Sequence, residues 1–114
     1  MRRMTNVNYD DFSKIDLRVG KVETAEEVVG SEKLIKMEAD FGELGKRVIF
    51  AGIRKWYQPD DLKEKLLIFV FNLEPKKIMG EESQGMVLAA EEEDGENCVL
   101  LEPDKNIPPG TKVF

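Results

Sequence analysis

The run Leu66-Leu67-Ile68-Phe69-Val70-Phe71 places six apolar residues in succession between polar neighbours. That is the length of a strand, and unbroken apolarity means that both of its faces must be covered. The rest of the chain is cut to the same scale. Leu17, Val19 and Val22 mark a first extended segment, with Gly20 where a strand can bend sharply. Leu34 to Phe41 alternates in part, Arg47 to Ala51 follows a loop from Gly42 to Gly45, and Gly85 to Ala90 supplies a fifth extended segment. Ahead of them, an Asn or Asp within Asn8-Tyr9-Asp10-Asp11 can cap a short helix carrying Phe12 and Ile15. Pro59-Asp60-Asp61-Leu62 reads as a single helical turn.

Five short strands with a helical connector between the third and fourth predict an all-β fold: a five-stranded OB-fold Greek-key barrel with a short N-terminal helix and a C-terminal strand extension. A doubly wound sheet needs crossover helices, and 114 residues leave no room for them. Residues 1–114 therefore read as one domain, with a barrel core over about 15–90. The apolar Val99-Leu100-Leu101 and the closing Thr111-Lys112-Val113-Phe114 lie beyond that core.

Composition removes several kinds of chemistry. The chain has no histidine and a single cysteine, Cys98. A Ser-His-Asp or Cys-His catalytic arrangement, a zinc site and an intrachain disulfide are all out of reach. Four adjacent acids, Glu91 to Asp94, lack the alternate-residue spacing of a calcium loop and read as a solvated turn. No catalytic residue, metal or cofactor is expected. The start carries Arg2 and Arg3 without a following apolar run, and no stretch is long enough to span a bilayer, so a cytoplasmic location is expected.

The formal net charge is −6, which by itself argues against a phosphate-rich partner. Its distribution argues the other way. Lys46 to Lys77 holds eight Lys/Arg against four acids, whereas Glu81 to Asp104 holds nine acids and no base. A basic face and an acidic flank on one body is one reading; ordinary solubilising surface is the other.

The segment from Asn72 to Ala90 concentrates groups suited to RNA. Asn72 offers both donor and acceptor, Lys76 and Lys77 can neutralise phosphates, and Ser83 and Gln84 can bond a base edge or a ribose hydroxyl. Met86 can pack on a base. Arg54 and Trp56 add a cation and a stacking surface in the Gly52–Tyr57 connector. Each has a plainer alternative, in which Asn72 and Ser83 close loop hydrogen bonds, Met86 is core, and Trp56 with Tyr57 caps one end of the barrel.

Three motifs in order, Asp16-Leu17-Arg18-Val19-Gly20, Asn72-Leu73-Glu74-Pro75 and Ser83-Gln84-Gly85-Met86-Val87-Leu88-Ala89-Ala90, resemble the tRNA-binding domain family. Its members include the C-terminal domain of methionyl-tRNA synthetases, free-standing dimeric tRNA-binding proteins and CsaA-type export chaperones. The resemblance implies a non-catalytic module whose partner is tRNA, with Lys33 of the Lys33-Leu34 pair joining Arg54, Trp56, Asn72, Lys76, Lys77, Ser83, Gln84 and Met86 as RNA-binding residues. It further implies a homodimer joined through the N-terminal helix and residues 91–114, and an aminoacyl-tRNA synthetase as a further partner. Neither DNA nor a membrane is expected. A polypeptide-binding chaperone is the alternative, favoured if Met79, Met86 and Phe50 line an apolar groove. Glu74 and Met79 stand where the family commonly carries basic residues, which lowers the expected number of phosphate contacts.

Overall fold

The computed structural model describes residues 4–114, so Arg2 and Arg3 lie outside the described residues. Helix α1, Tyr9–Ser13, starts where the Asn8 side chain accepts a hydrogen bond from the Asp11 N–H at 2.8 Å, as its capping sequence predicts. The chain then extends into β1, Leu17–Glu27, which is the organising strand of the molecule. Its first half pairs antiparallel with β4, Leu66–Val70, and its second half with β2, Ile35–Asp40. Strand β3, Lys46–Ala51, follows β2 through a short 3₁₀ turn over Gly42–Leu44. One helical turn, α2, Pro59–Leu62, connects β3 to β4, and the Asp61 carboxylate accepts the Gln58 N–H at its start.

After β4 come the hairpin β5, Lys76–Ile78, and β6, Glu81–Ser83, then β7, Met86–Val87, which returns to pair with β4. A second hairpin joins β8, Ala89–Glu91, to β9, Cys98–Leu100, and β10, Lys112–Val113, ends the fold. The main sheet runs β3-β2-β1-β4-β7. This is the curled, OB-like all-β arrangement expected from the strand spacing.

Alternation places Ile35, Met37 and Ala39 of β2 inside the curl with Leu67 and Phe69 of β4, all fully buried. Full burial of such a side chain contributes about 1.5–3 kcal/mol. Phe41 packs edge-on against Phe69 and Phe71, with ring centroids 5.2 and 5.0 Å away. That cluster explains Gly20: a Cβ there would lie 2.6 Å from the Phe41 ring and 2.8 Å from the Phe69 ring. Gly20 thus permits close aromatic packing, while the break in strand register falls a little later, between Val22 and Thr24.

The C-terminal segment differs from the expectation of a barrel finished by residue 90. Cys98 is buried in the core with Leu100 packed against it, and β10 pairs with the start of β1. The reason is geometric. Strand β2 pairs with β1 only from Lys21 onward, so that edge of Leu17 and Arg18 needs another partner, and Val113 and Lys112 fill it.

Candidate nucleic-acid interface

Five of the expected RNA-binding residues, Asn72, Lys76, Lys77, Ser83 and Gln84, fall on the connection between β4 and β7, and Met86 begins β7. Asn72 leaves the end of β4 and uses its amide inside the protein: Oδ1 accepts from the Asp16 N–H at 2.8 Å and Nδ2 donates to the Lys14 carbonyl at 2.7 Å. It ties the end of α1 to the main sheet. Ser83 is only 5% exposed, and its Oγ accepts from the Phe50 N–H at 3.0 Å. Gln84 accepts from the Val48 N–H through Oε1 at 3.0 Å, and its own N–H donates to the Val48 carbonyl at 2.8 Å. Ser83 and Gln84 therefore close the barrel. They satisfy the free edge of β3 where no continuous strand pairs with it, so both oxygens are engaged within the protein. Met86, by contrast, is exposed rather than core.

Lys76 and Lys77 sit on β5, opposite Ser83 and Glu82, and both are exposed. Among the described residues, ion pairs engage Lys14, Arg18, Lys21, Lys36, Lys46, Arg54, Lys63 and Lys65. Lys76 and Lys77 take part in none of them. The hairpin that carries them is fastened at its far end by Lys36 Nζ, 2.8 Å from a Glu81 carboxylate oxygen. That hydrogen bond, above all, raises the Lys36 pKa.

The connector after β3 behaves differently. Arg54 Nε lies 2.9 Å from Glu27, its NH1 donates to the Ser31 carbonyl, and its N–H donates to the Lys33 carbonyl at 3.1 Å. It staples the β1–β2 loop, and Lys33 is exposed on that loop. Trp56 donates Nε1–H to the Glu96 carbonyl at 3.2 Å and packs on the core, Lys55 Nζ donates to the Gly95 carbonyl at 2.9 Å, and the Tyr57 hydroxyl accepts from the Leu100 N–H at 3.1 Å. The capping alternative describes Trp56 and Tyr57: they hold the β8–β9 hairpin. Trp56 is thus kept with that hairpin, not with Lys76 and Lys77.

Two residues escaped the sequence reading. Arg47 lies 3.9 Å over the Phe71 ring and donates to the Phe71 and Gln84 carbonyls at 3.1 and 3.2 Å, sealing one end of the curl. Its signal was present, since it shares the inward-facing register of Ile49 and Ala51. Lys36 alternates outward on β2, but its partner Glu81 is distant in sequence, and no local pattern announces such a pair.

Residues 17–112 match a family model described as "Putative tRNA binding domain". The chain belongs to this family. It is 46% identical over 112 residues to a methionine–tRNA ligase of Pyrococcus horikoshii, covering 98% of this chain and 15% of that protein. It is 50% identical over 107 residues to the Thermotoga maritima methionine–tRNA ligase, covering 94% of this chain and 16% of that one. The tRNA-binding domain therefore spans a small fraction of the curated relatives it matches. Among solved structures, a MetRS-related protein from Pyrococcus horikoshii superposes with a TM-score of 0.91 at 41% identity, covering 97% of this chain and all of that chain. The chaperone CsaA from Bacillus anthracis superposes with a TM-score of 0.87 at 40% identity, covering 96% of this chain and all of that one.

Proposed function

We propose that this chain binds tRNA as a non-catalytic module, through the β5–β6 hairpin and the exposed β1–β2 loop beside it. The observation that carries the reading is the state of Lys76 and Lys77. They are adjacent, exposed and outside every ion pair of the described residues, on a chain whose formal charge is −6. Cations left unneutralised on a protruding hairpin are free to displace counterions from a phosphate backbone. Lys33 extends the same contact from the β1–β2 loop, and Met86 adds an exposed apolar surface. Asn72, Ser83 and Gln84 support it by fixing the segment that carries the lysines.

A homodimer serves this function well. Tyr9, Phe12 and Ile15 around α1, together with Val99, Leu101 and Ile107, remain exposed on the single chain. A second copy would cover apolar surface and present two hairpins to one RNA. The relationship to methionine–tRNA ligases supports a role as an accessory to a synthetase in the cytoplasm.

The test is a tRNA titration at two salt concentrations on the intact chain and on the Lys76→Ala/Lys77→Ala variant. Affinity that falls steeply with salt, and a shallower slope in the variant, is the expected result. Polypeptide binding is the second reading, favoured by the exposed Met79 and Met86 and by the likeness to CsaA. It predicts binding of an unfolded peptide that is nearly indifferent to salt.

A further inference from the structure

Lys76 and Lys77 sit on a span held at both ends. Opposite Lys76 is Ser83, whose Oγ accepts from the Phe50 N–H of β3 at 3.0 Å. Nearer the tip Glu81, paired with Ile78, meets Lys36 Nζ of β2 at 2.8 Å. Phe50 and Lys36 are neighbours across β2 and β3, so the two contacts land side by side on the main sheet. Among the described residues these are the polar side-chain contacts that tie the hairpin to that sheet. The turn itself adds little rigidity. Met79 and Gly80 have φ of 53° and 82°, and a long side chain in the left-handed region carries a conformational cost.

The outer contact has a charge arrangement that a phosphate-binding surface does not by itself call for. Glu81 is a carboxylate on the same hairpin as the two lysines, where an acid opposes an RNA backbone. Lys36 faces carboxylates from two different elements: Glu81 on β6, and Glu26, its cross-strand neighbour on β1, at 3.9 Å. Its charge is therefore engaged within the protein. Without that ammonium, Glu26 and Glu81 are left close together with like charge, which drives the outer end of the hairpin away from the sheet while Ser83 still holds the inner end.

We propose that Lys36 and Glu81 are positioning residues for RNA: their contact holds the hairpin where Lys76 and Lys77 meet phosphate together, and neither residue touches the RNA itself. Two lysines presented in a fixed relation engage a backbone without first being ordered, whereas a hairpin loose at its tip must be ordered on binding. The consequence is a reversal of sign. On charge alone, removing Glu81 strengthens RNA binding, because one repulsive carboxylate is gone. Through position, removing Glu81 weakens it. The inference rests on the hairpin being the RNA contact and adds the residues that hold it in its working pose.

The test is a double-mutant cycle on the full chain, read by tRNA titration at low salt: Lys36→Met, Glu81→Thr and the two together, each also in the Lys76→Ala/Lys77→Ala background. Thr suits a strand and is too short to reach Lys36. The expected result is that each single variant binds about three- to fivefold more weakly, the range an exposed ion pair can supply, and that the double variant is no weaker than the poorer single one. In the lysine-free background the effect of Glu81→Thr should vanish. Hydrogen exchange of the Lys77–Glu82 amides should quicken in both single variants while the melting temperature hardly moves. Tighter or unchanged binding by Glu81→Thr overturns the proposal, and a loss confined to Lys36→Met then makes Lys36 a direct phosphate contact. Equal weakening by Glu81→Thr with and without the lysines also overturns it. In either case the lysine contact stands if Lys76→Ala/Lys77→Ala has lost affinity; if that variant binds normally, the reading beneath the proposal fails and the proposal with it.

Discussion

The connector Gly52–Gln58 and the hairpin Lys76–Ser83 both carry paired cations beside apolar side chains, and in sequence they look equally suited to RNA. Their side chains do opposite things. Arg54, Lys55 and Trp56 are all directed at backbone carbonyls of the same molecule, at Ser31, Gly95 and Glu96. Among the described residues, Lys76 and Lys77 form no side-chain hydrogen bond or ion pair. The difference follows from what each segment must hold in place. The connector lies between two projecting units, the β1–β2 loop and the β8–β9 hairpin, whose carbonyls need donors. The β5–β6 hairpin satisfies its own backbone by strand pairing and is anchored through Ser83 and Lys36, which leaves its lysines without an ion pair among the described residues.

Trp56→Ala gives the sharpest contrast. It removes a half-buried ring and a hydrogen bond, so equilibrium denaturation should show a loss of about 2–3 kcal/mol. The salt slope of tRNA binding should not move. A variant of normal stability that has lost RNA affinity would erase the distinction between the two segments.

Asn72→Ala should cost about 1–2 kcal/mol, because the Asp16 N–H and the Lys14 carbonyl both lose their partner. Asn72→Asp retains the acceptor and should recover part of it, a pattern that contact with RNA would not produce. Lys76→Ala/Lys77→Ala should change stability by less than about 0.5 kcal/mol. Its salt slope should be shallower by about 1.5, two phosphates' worth. An unchanged slope would place the hairpin in the same class as the connector. Smallest of all is the effect at Cys98. Burial, and then Glu91, push its thiol pKa upward, so a thiol reagent at mildly alkaline pH should react slowly with the native chain and rapidly after denaturation.

The sequence made the barrel legible because the forces that build it are periodic and local. The Leu66–Phe71 run, the alternation through Ile35, Met37 and Ala39, the cap at Asn8 and the proline at the first helical position, Pro59, each mark an element within a few residues. The candidate site was legible only in part. Lys76 and Lys77 are where a charged surface pair should be, but the same residue types at Ser83, Gln84 and Arg54 serve the protein's own edges. Which role a polar residue takes depends on whether an orphan N–H or carbonyl lies nearby, and that is decided by partners 23 to 36 residues away. The hairpin inside the 72–85 loop was hidden for a related reason. Its turn uses Met79-Gly80 in place of the Asn-Gly that signals such a turn.

The pairing of β10 with the beginning of β1 brings Leu17 and Val113 side by side. A barrel whose first and last strands are neighbours should tolerate circular permutation, with new termini opened in the acidic turn around Gly95. It also means that a polypeptide fused before β1 and one fused after β10 depart from the same corner of the sheet, so the domain can be appended to either side of a larger protein without changing which surface it offers.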